Sequence, residues 1–148
     1  KNMQRTVEAM LGYFNQIRQV YANELNKKFE EERFSPNEIS VLILLSNNRT
    51  INTASQLKVI LGVSKGLVSR SVESLAAKGL VECRQDELDR RIQRIYLTDR
   101  ASPLVSRLER EIKKINEVFL EGISQEEIDQ MEATMTKILD RFTEKGER

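Results

Sequence analysis

The chain has 148 residues, 39% apolar and 32% charged, with a formal net charge of +1. That length suits one domain, or one compact unit with extensions, and the modest apolar share favours long amphipathic helices that share apolar faces with a partner. One cysteine excludes an intrachain disulfide framework and no histidine is present, so the nitrogen and sulfur ligands that zinc needs are missing.

Only 6 glycines and 2 prolines leave helix as the dominant element. No apolar run approaches the ~18 residues of a membrane span, and no signal peptide is visible. With the lone cysteine these features point to a reducing, cytoplasmic compartment. The sequence begins at Lys1 rather than methionine, which leaves room for residues upstream.

In chain order, Met3, Val7, Met10, Leu11, Phe14, Ile17, Tyr21, Leu25 and Phe29 recur at three- and four-residue spacing, which predicts one long amphipathic helix. The run Glu30-Glu31-Glu32 after it reads as a solvated face. Ser35-Pro36-Asn37-Glu38 is a helix start, with Ser35 as cap, Pro36 in the first turn and Glu38 closing a capping box. The helix over Ile39–Leu45 is almost wholly apolar and should be central. Asn47-Asn48-Arg49 ends it, and Ile51 is a candidate for a short strand.

Thr53 with Gln56 opens another helix that stops at Leu61-Gly62. Gly62 supplies the left-handed backbone of a tight turn, Ser64 caps again, and the next helix runs to Lys78 before Gly79. Helix, glycine turn, helix is the helix-turn-helix pattern. Val81 and Cys83 then alternate with Glu82 and Arg84, and Ile95 and Leu97 with Arg94 and Tyr96, as two half-buried strands would; this places Cys83 on an inward face. Between them lies a polar loop containing Asp89-Arg90-Arg91. A helix from Arg107 to Leu120 follows, starting either at a Ser102 cap or as early as Thr98. Ser124 to Glu127 is a further capping box, and the last helix carries Ile128, Met131, Met135, Ile138, Leu139 and Phe142 on one stripe. Met131 and Met135 read as core.

Two segments suggest chemistry. On the Ser64–Lys78 helix, Val68, Val72 and Leu75 form the buried stripe, and Gly66, Ser69, Arg70 and Glu73 fall opposite. Ser64 and the free N–H groups beside it suit a phosphate, Lys65 stands at the same end, and Arg70 can pair with guanine edges. On the loop, Arg91 suits a narrow minor groove, which attracts arginine by its negative potential. Asp89 can hold that guanidinium in a fork, while Arg90 and Arg94 are candidates for phosphate contacts. From Thr53 to Arg100 the basic residues number nine and the acidic six, a mild positive bias.

Leu57, Leu61-Gly62-Val63-Ser64-Lys65, Val68-Ser69-Arg70, Leu75 and Lys78-Gly79-Leu80-Val81, followed by Asp89-Arg90-Arg91 and Leu97-Thr98, resemble the MarR family of bacterial transcription regulators. The spacing Asp-x-Arg, five residues, Leu-Thr carries the hairpin part, and the order of flanking helices agrees along essentially the whole chain. Departures stand at Lys58, Val59, Ile60, Gly66, Leu67 and Ala101. The resemblance implies a mainly α fold with a small β wing: a winged helix-turn-helix at 35–100 between dimerisation helices at 1–34 and 101–148. It implies a homodimer that reads a pseudo-palindromic DNA operator, with Arg91 as the wing arginine. A repressor released by a small aromatic or phenolic effector is the expected behaviour, in a bacterial or archaeal cytoplasm beside the nucleoid.

Dimer contacts are then expected from Met10, Phe14, Ile138 and Phe142. Tyr13, Arg18 and Tyr21 on the first helix are candidates to line an effector cleft, although helix packing is the commoner fate of such aromatics. Cys83, on its inward face, reads as core rather than as an oxidant sensor, and no cofactor, metal or catalytic residue is expected. An enzyme would need a histidine, a glycine-rich phosphate loop, a nucleophile elbow or a carboxylate pair in a recognisable setting, and none is found. A winged-helix protein-interaction module that never touches DNA is the alternative; it has no need of Asp89 and Arg91 on the wing. A coiled-coil adaptor is disfavoured by the strand-loop-strand segment.

Overall fold

The computed structural model describes residues 3–146, with side chains placed from residue 5 to 141. Among the described residues, six α-helices and two strands run in the order α1 (Met3–Lys28), α2 (Pro36–Asn47), α3 (Ala54–Leu61), α4 (Lys65–Ala77), β1 (Val81–Gln85), β2 (Gln93–Leu97), α5 (Ser102–Phe119) and α6 (Gln125–Gly146). The fold is mainly α with a two-stranded wing, as the sequence implies. The chain divides into two compact units, residues 1–113 and 114–148, with the boundary inside α5.

The local signals set the helix starts. Ser35 Oγ accepts from the Glu38 N–H and the Glu38 carboxylate accepts from the Ser35 N–H, a closed capping box. Thr53 and Gln56 repeat that arrangement at α3, and Ser124 and Glu127 repeat it at α6. Gly62 ends α3 at φ 65°, left-handed backbone that a β-carbon would strain. Thr98 is extended, a 3-10 turn spans Asp99–Ala101, and α5 follows with Pro103 in its first turn, so helical structure starts right after Thr98.

In the first unit α2 is the hub. It packs against α1, α3, α4 and β2, and Ile39, Val41, Leu42 and Leu45 are buried along it. Leu25 and Phe29 at the end of α1, Leu57 of α3, and Val68, Val72 and Leu75 of α4 complete the core. Each large aliphatic side chain removed from water there contributes about 1.5–3 kcal/mol. The acidic run is not wholly solvated. Glu32 pairs with Arg107, whose guanidinium also donates to the Lys28 carbonyl at 2.6 Å and lies 4.5 Å from the centre of the Phe29 ring.

Further expectations are corrected. Cys83 is exposed. Alternation places it opposite buried Ile95. However, the Ile95 N–H bonds the Asn52 carbonyl at 2.8 Å, so β2 faces the body and β1 is the outer strand, where Cys83 lies past the edge of the core. Ile51 forms no strand; the segment meets β2 at Asn52 instead. Met131 is exposed and Met135 half-buried, so neither is core within this chain.

Candidate nucleic-acid interface

Helix α4 turns its apolar stripe inward, with Val68 1% and Leu75 0% exposed, which leaves the opposite side to solvent. Ser64 caps it by accepting the Leu67 N–H at 3.1 Å. The other first-turn N–H groups have no helical partner and concentrate positive potential at that end. Lys65, Gly66 and Arg70 are exposed, and Ser69 is half-buried. A β-carbon at Gly66 would meet nothing within 4 Å; nothing within the chain requires glycine there. Buried Ser71 donates to the Leu67 carbonyl at 2.9 Å, which satisfies its hydroxyl on the inner face.

Strands β1 and β2 pair antiparallel, Val81 opposite Leu97 through Gln85 opposite Gln93. The loop at 86–92 has almost no apolar anchor and is organised by two carboxylates. Asp86 accepts the N–H groups of Leu88 and Asp89 at 3.1 and 2.9 Å and the Arg94 Nε–H at 3.0 Å. Asp89 accepts the backbone N–H of Arg91 at 3.0 Å, and its two oxygens take the Arg91 Nε–H and Nη2–H at 3.1 and 3.0 Å. These bonds hold both carboxyls below the usual carboxylate range, that of Asp86 chiefly through Arg94 and that of Asp89 chiefly through Arg91. The Asp89 fork raises the Arg91 guanidinium in turn. The Arg91 side chain is nevertheless 90% exposed, a cation fixed in direction and open to a ligand.

A cleft of about 390 Å³ draws these parts together: Thr53, Ala54 and Ser55 at the start of α3, Lys65 at the start of α4, and Arg91, Ile92 and Gln93 of the wing. Arg70 and Ser69 do not line it. Arg90 is exposed on the loop, and its carbonyl meets the Gln85 amide at 3.5 Å. Arg94 is placed differently from Arg91. It is half-buried, and its Nη1 donates to Asn52 Oδ1 at 3.0 Å in addition to the bond with Asp86. Asn52 and Asp86 were not among the expected site residues. Asp86 could have been found as a turn-forming aspartate three residues before Asp89; Asn52, 42 residues from Arg94, left no local signal.

A second cleft, about 280 Å³, lies between α1 and α2 with the end of α3. It takes in Arg18, Tyr21, Asn26, Ile39, Ile43 and Ile60. Of the expected effector residues, Arg18 and Tyr21 line it and Tyr13 does not. Burial pushes the Tyr21 hydroxyl's pKa up, and Asn26 Oδ1 is buried without a hydrogen-bond partner. Burial likewise raises the Cys83 thiol, which lowers its thiolate fraction. Among the expected dimer residues, Met10 and Ile138 are half-buried and Phe14 is exposed, while the side chain of Phe142 lies outside the described residues. No helix among the described residues is long and apolar enough to cross a membrane.

A capped recognition-type helix, a glycine turn before it and an arginine-bearing hairpin after it define the winged helix-turn-helix class. Within that class, residues 34–92 match the model of the MarR family. A MarR-family transcriptional regulator from Silicibacter pomeroyi is 25% identical, with 87% of this chain and 86% of that one covered and a TM-score of 0.74. S. aureus MepR, solved as a DNA complex, is 23% identical at a TM-score of 0.71 over 87% of this chain and 95% of its own. CouR from Rhodococcus jostii RHA1, bound to p-coumaroyl-CoA, is 21% identical at 0.73 over 86% and 90%. Residues 34–92 thus resemble the MarR family, and the chain has the fold of MarR-family transcriptional regulators.

Proposed function

We propose that this protein is a sequence-specific double-stranded-DNA-binding transcriptional regulator, a repressor that acts as a homodimer in the cytoplasm and leaves DNA when a small effector binds. Helix α4 lies in the major groove, with Ser64, Lys65 and Gly66 at the backbone and Ser69 and Arg70 toward base edges. The wing enters the adjacent minor groove with Arg91, oriented by Asp89, while Arg90 contacts phosphate. The observation that carries this reading is Arg91: fully forked by Asp89 yet 90% exposed, an arrangement that a surface ion pair worth little to stability does not explain. The MepR–DNA complex supports it by fold.

The segments 1–34 and 101–148 form the dimer. On α1, Val7, Leu11, Phe14 and Ile17 are exposed, and on α6 so is Met131, an apolar surface that a single chain leaves in water. The α1–α2 cleft receives the effector: Arg18 suits an anionic group, Asn26 Oδ1 suits a hydroxyl donor, and Ile39, Ile43 and Ile60 suit an aromatic ring. The CouR complex is the parallel for a ligand-bound relative. Selection of duplexes from a random pool at moderate salt tests the function. Enrichment of a two-fold symmetric site is expected; a pool that stays random, with the protein folded and effector-free, contradicts it.

A further inference from the structure

The two arginines of the wing do different work. Arg91 is 90% exposed along its side chain and Arg94 only 29%. Arg94 Nε is committed to Asp86 Oδ1 and Nη1 to Asn52 Oδ1, both at 3.0 Å. Asn52 is 7% exposed and doubly tied to its surroundings: its carbonyl receives the Ile95 N–H, and its own N–H donates to Gln56 Oε1 at 3.0 Å. Gln56 is the capping-box residue of α3. On the other side, Asp86 holds the N–H groups of Leu88 and Asp89, and Asp89 holds Arg91. An unbroken set of hydrogen bonds therefore leads from the start of α3 to the exposed guanidinium, and Arg94 is the link that crosses from body to loop.

We propose that Arg94 is a positioning residue for the wing, bridging Asn52 of the body and Asp86 of the loop so that Arg91 is held at a fixed height and direction beside α4. The proposal rests on the DNA-binding reading and replaces the expectation that Arg94 contacts phosphate. Polar loops with little apolar burial open easily. Without the bridge the loop keeps its internal Asp89–Arg91 fork and its backbone tie through β2, but loses the side-chain tie from Asp86 to the body. The fork's worth as a DNA contact depends on where it is presented, because an arginine that must be ordered on binding pays that entropy then.

The test uses the duplex selected by the wild type, titrated with Arg91→Ala, Arg94→Ala, Arg94→Lys and the Arg91→Ala/Arg94→Ala double variant. Thermal melting confirms that each is folded. Arg94→Ala weakens binding about tenfold, and Arg94→Lys, which keeps the charge but cannot reproduce the two-armed bridge, recovers little of it. In the Arg91→Ala background the further loss from Arg94→Ala is less than about twofold, because both changes remove one function. Near wild-type affinity of Arg94→Lys would overturn the proposal. So would additive losses with a salt slope reduced by about one per lost contact, the mark of a phosphate contact.

A DNA-free arm separates failure of the proposal from failure of the DNA reading. By ¹⁵N relaxation, amide order parameters at Leu88, Asp89 and Arg91 fall in Arg94→Ala from rigid values near ~0.85 toward ~0.6 while α4 stays rigid. Unchanged wing order parameters would overturn the bridge whether or not the wild type selects DNA.

Discussion

Arg70 on α4 and Arg91 on the wing are both exposed cations, but the structure carries them by unlike means. Arg70 stands on a helix whose other face is buried at Val68, Ser71, Val72 and Leu75. Its placement is inherited from the core. Arg91 stands on a loop with few apolar anchors, where carboxylates hold backbone N–H groups and guanidinium groups. Apolar burial is strong and non-directional, and fixes where an element lies. Charge-assisted hydrogen bonds are directional, and fix where one group points. A protein that must present a helix broadly and an arginine narrowly uses each where it serves.

The contrast can be broken from either side. Leu75→Ala removes a wholly buried side chain under α4 and is expected to cost about 2–5 kcal/mol of stability, read by urea unfolding, with DNA binding lost as the helix loosens. A cost under ~1 kcal/mol would mean that the core does not carry α4. Arg91→Ala has the opposite profile. It is expected to cost roughly 1–3 kcal/mol of DNA binding with the unfolding midpoint unchanged, and equal affinity for the duplex would remove the wing from the mechanism.

Ser64→Ala sharpens the comparison, because one residue serves both roles. Loss of the cap at Leu67 should destabilise the fold by about 1 kcal/mol and also weaken binding if Ser64 meets a phosphate. A variant that loses stability but no affinity would confine Ser64 to capping.

The smallest effect is acid loosening of the wing. Asp86 and Asp89 titrate below their ordinary values when folded. The order they provide is therefore complete above the unfolded carboxylate pKa of ~3.9 and is lost as pH falls through the lower folded values. The side-chain carboxyl ¹³C resonances of Asp86 and Asp89 should be unchanged between pH ~5 and ~8 and shift only below the ordinary carboxylate range. A shift near neutrality would contradict the role of the carboxylates.

Local chemistry made much of this legible in advance. The boxes at Ser35/Glu38, Thr53/Gln56 and Ser124/Glu127, the Ser64 cap, the Gly62 turn and the Asp89–Arg91 fork each span only a few residues, and all form. What sequence could not show was distance from the core and contact across the chain. Alternation put Cys83 opposite buried Ile95 and so predicted an inward side chain, but Cys83 is exposed, because the pattern says nothing of which strand is outermost. Arg94 looked like a free wing cation because its partner Asn52 lies in the α2–α3 connection. Tyr13 shares a helix with Arg18 and Tyr21, yet periodicity alone could not say that the cleft ends before it.

The most direct measurement is methylation interference on the selected duplex, since guanine N7 faces the major groove and adenine N3 the minor groove. We predict that N7 methylation within each half-site blocks binding of both wild type and Arg91→Ala, whereas N3 methylation at the flanks blocks the wild type alone. Flanking interference that persists in Arg91→Ala, or no interference in either groove, would contradict the account.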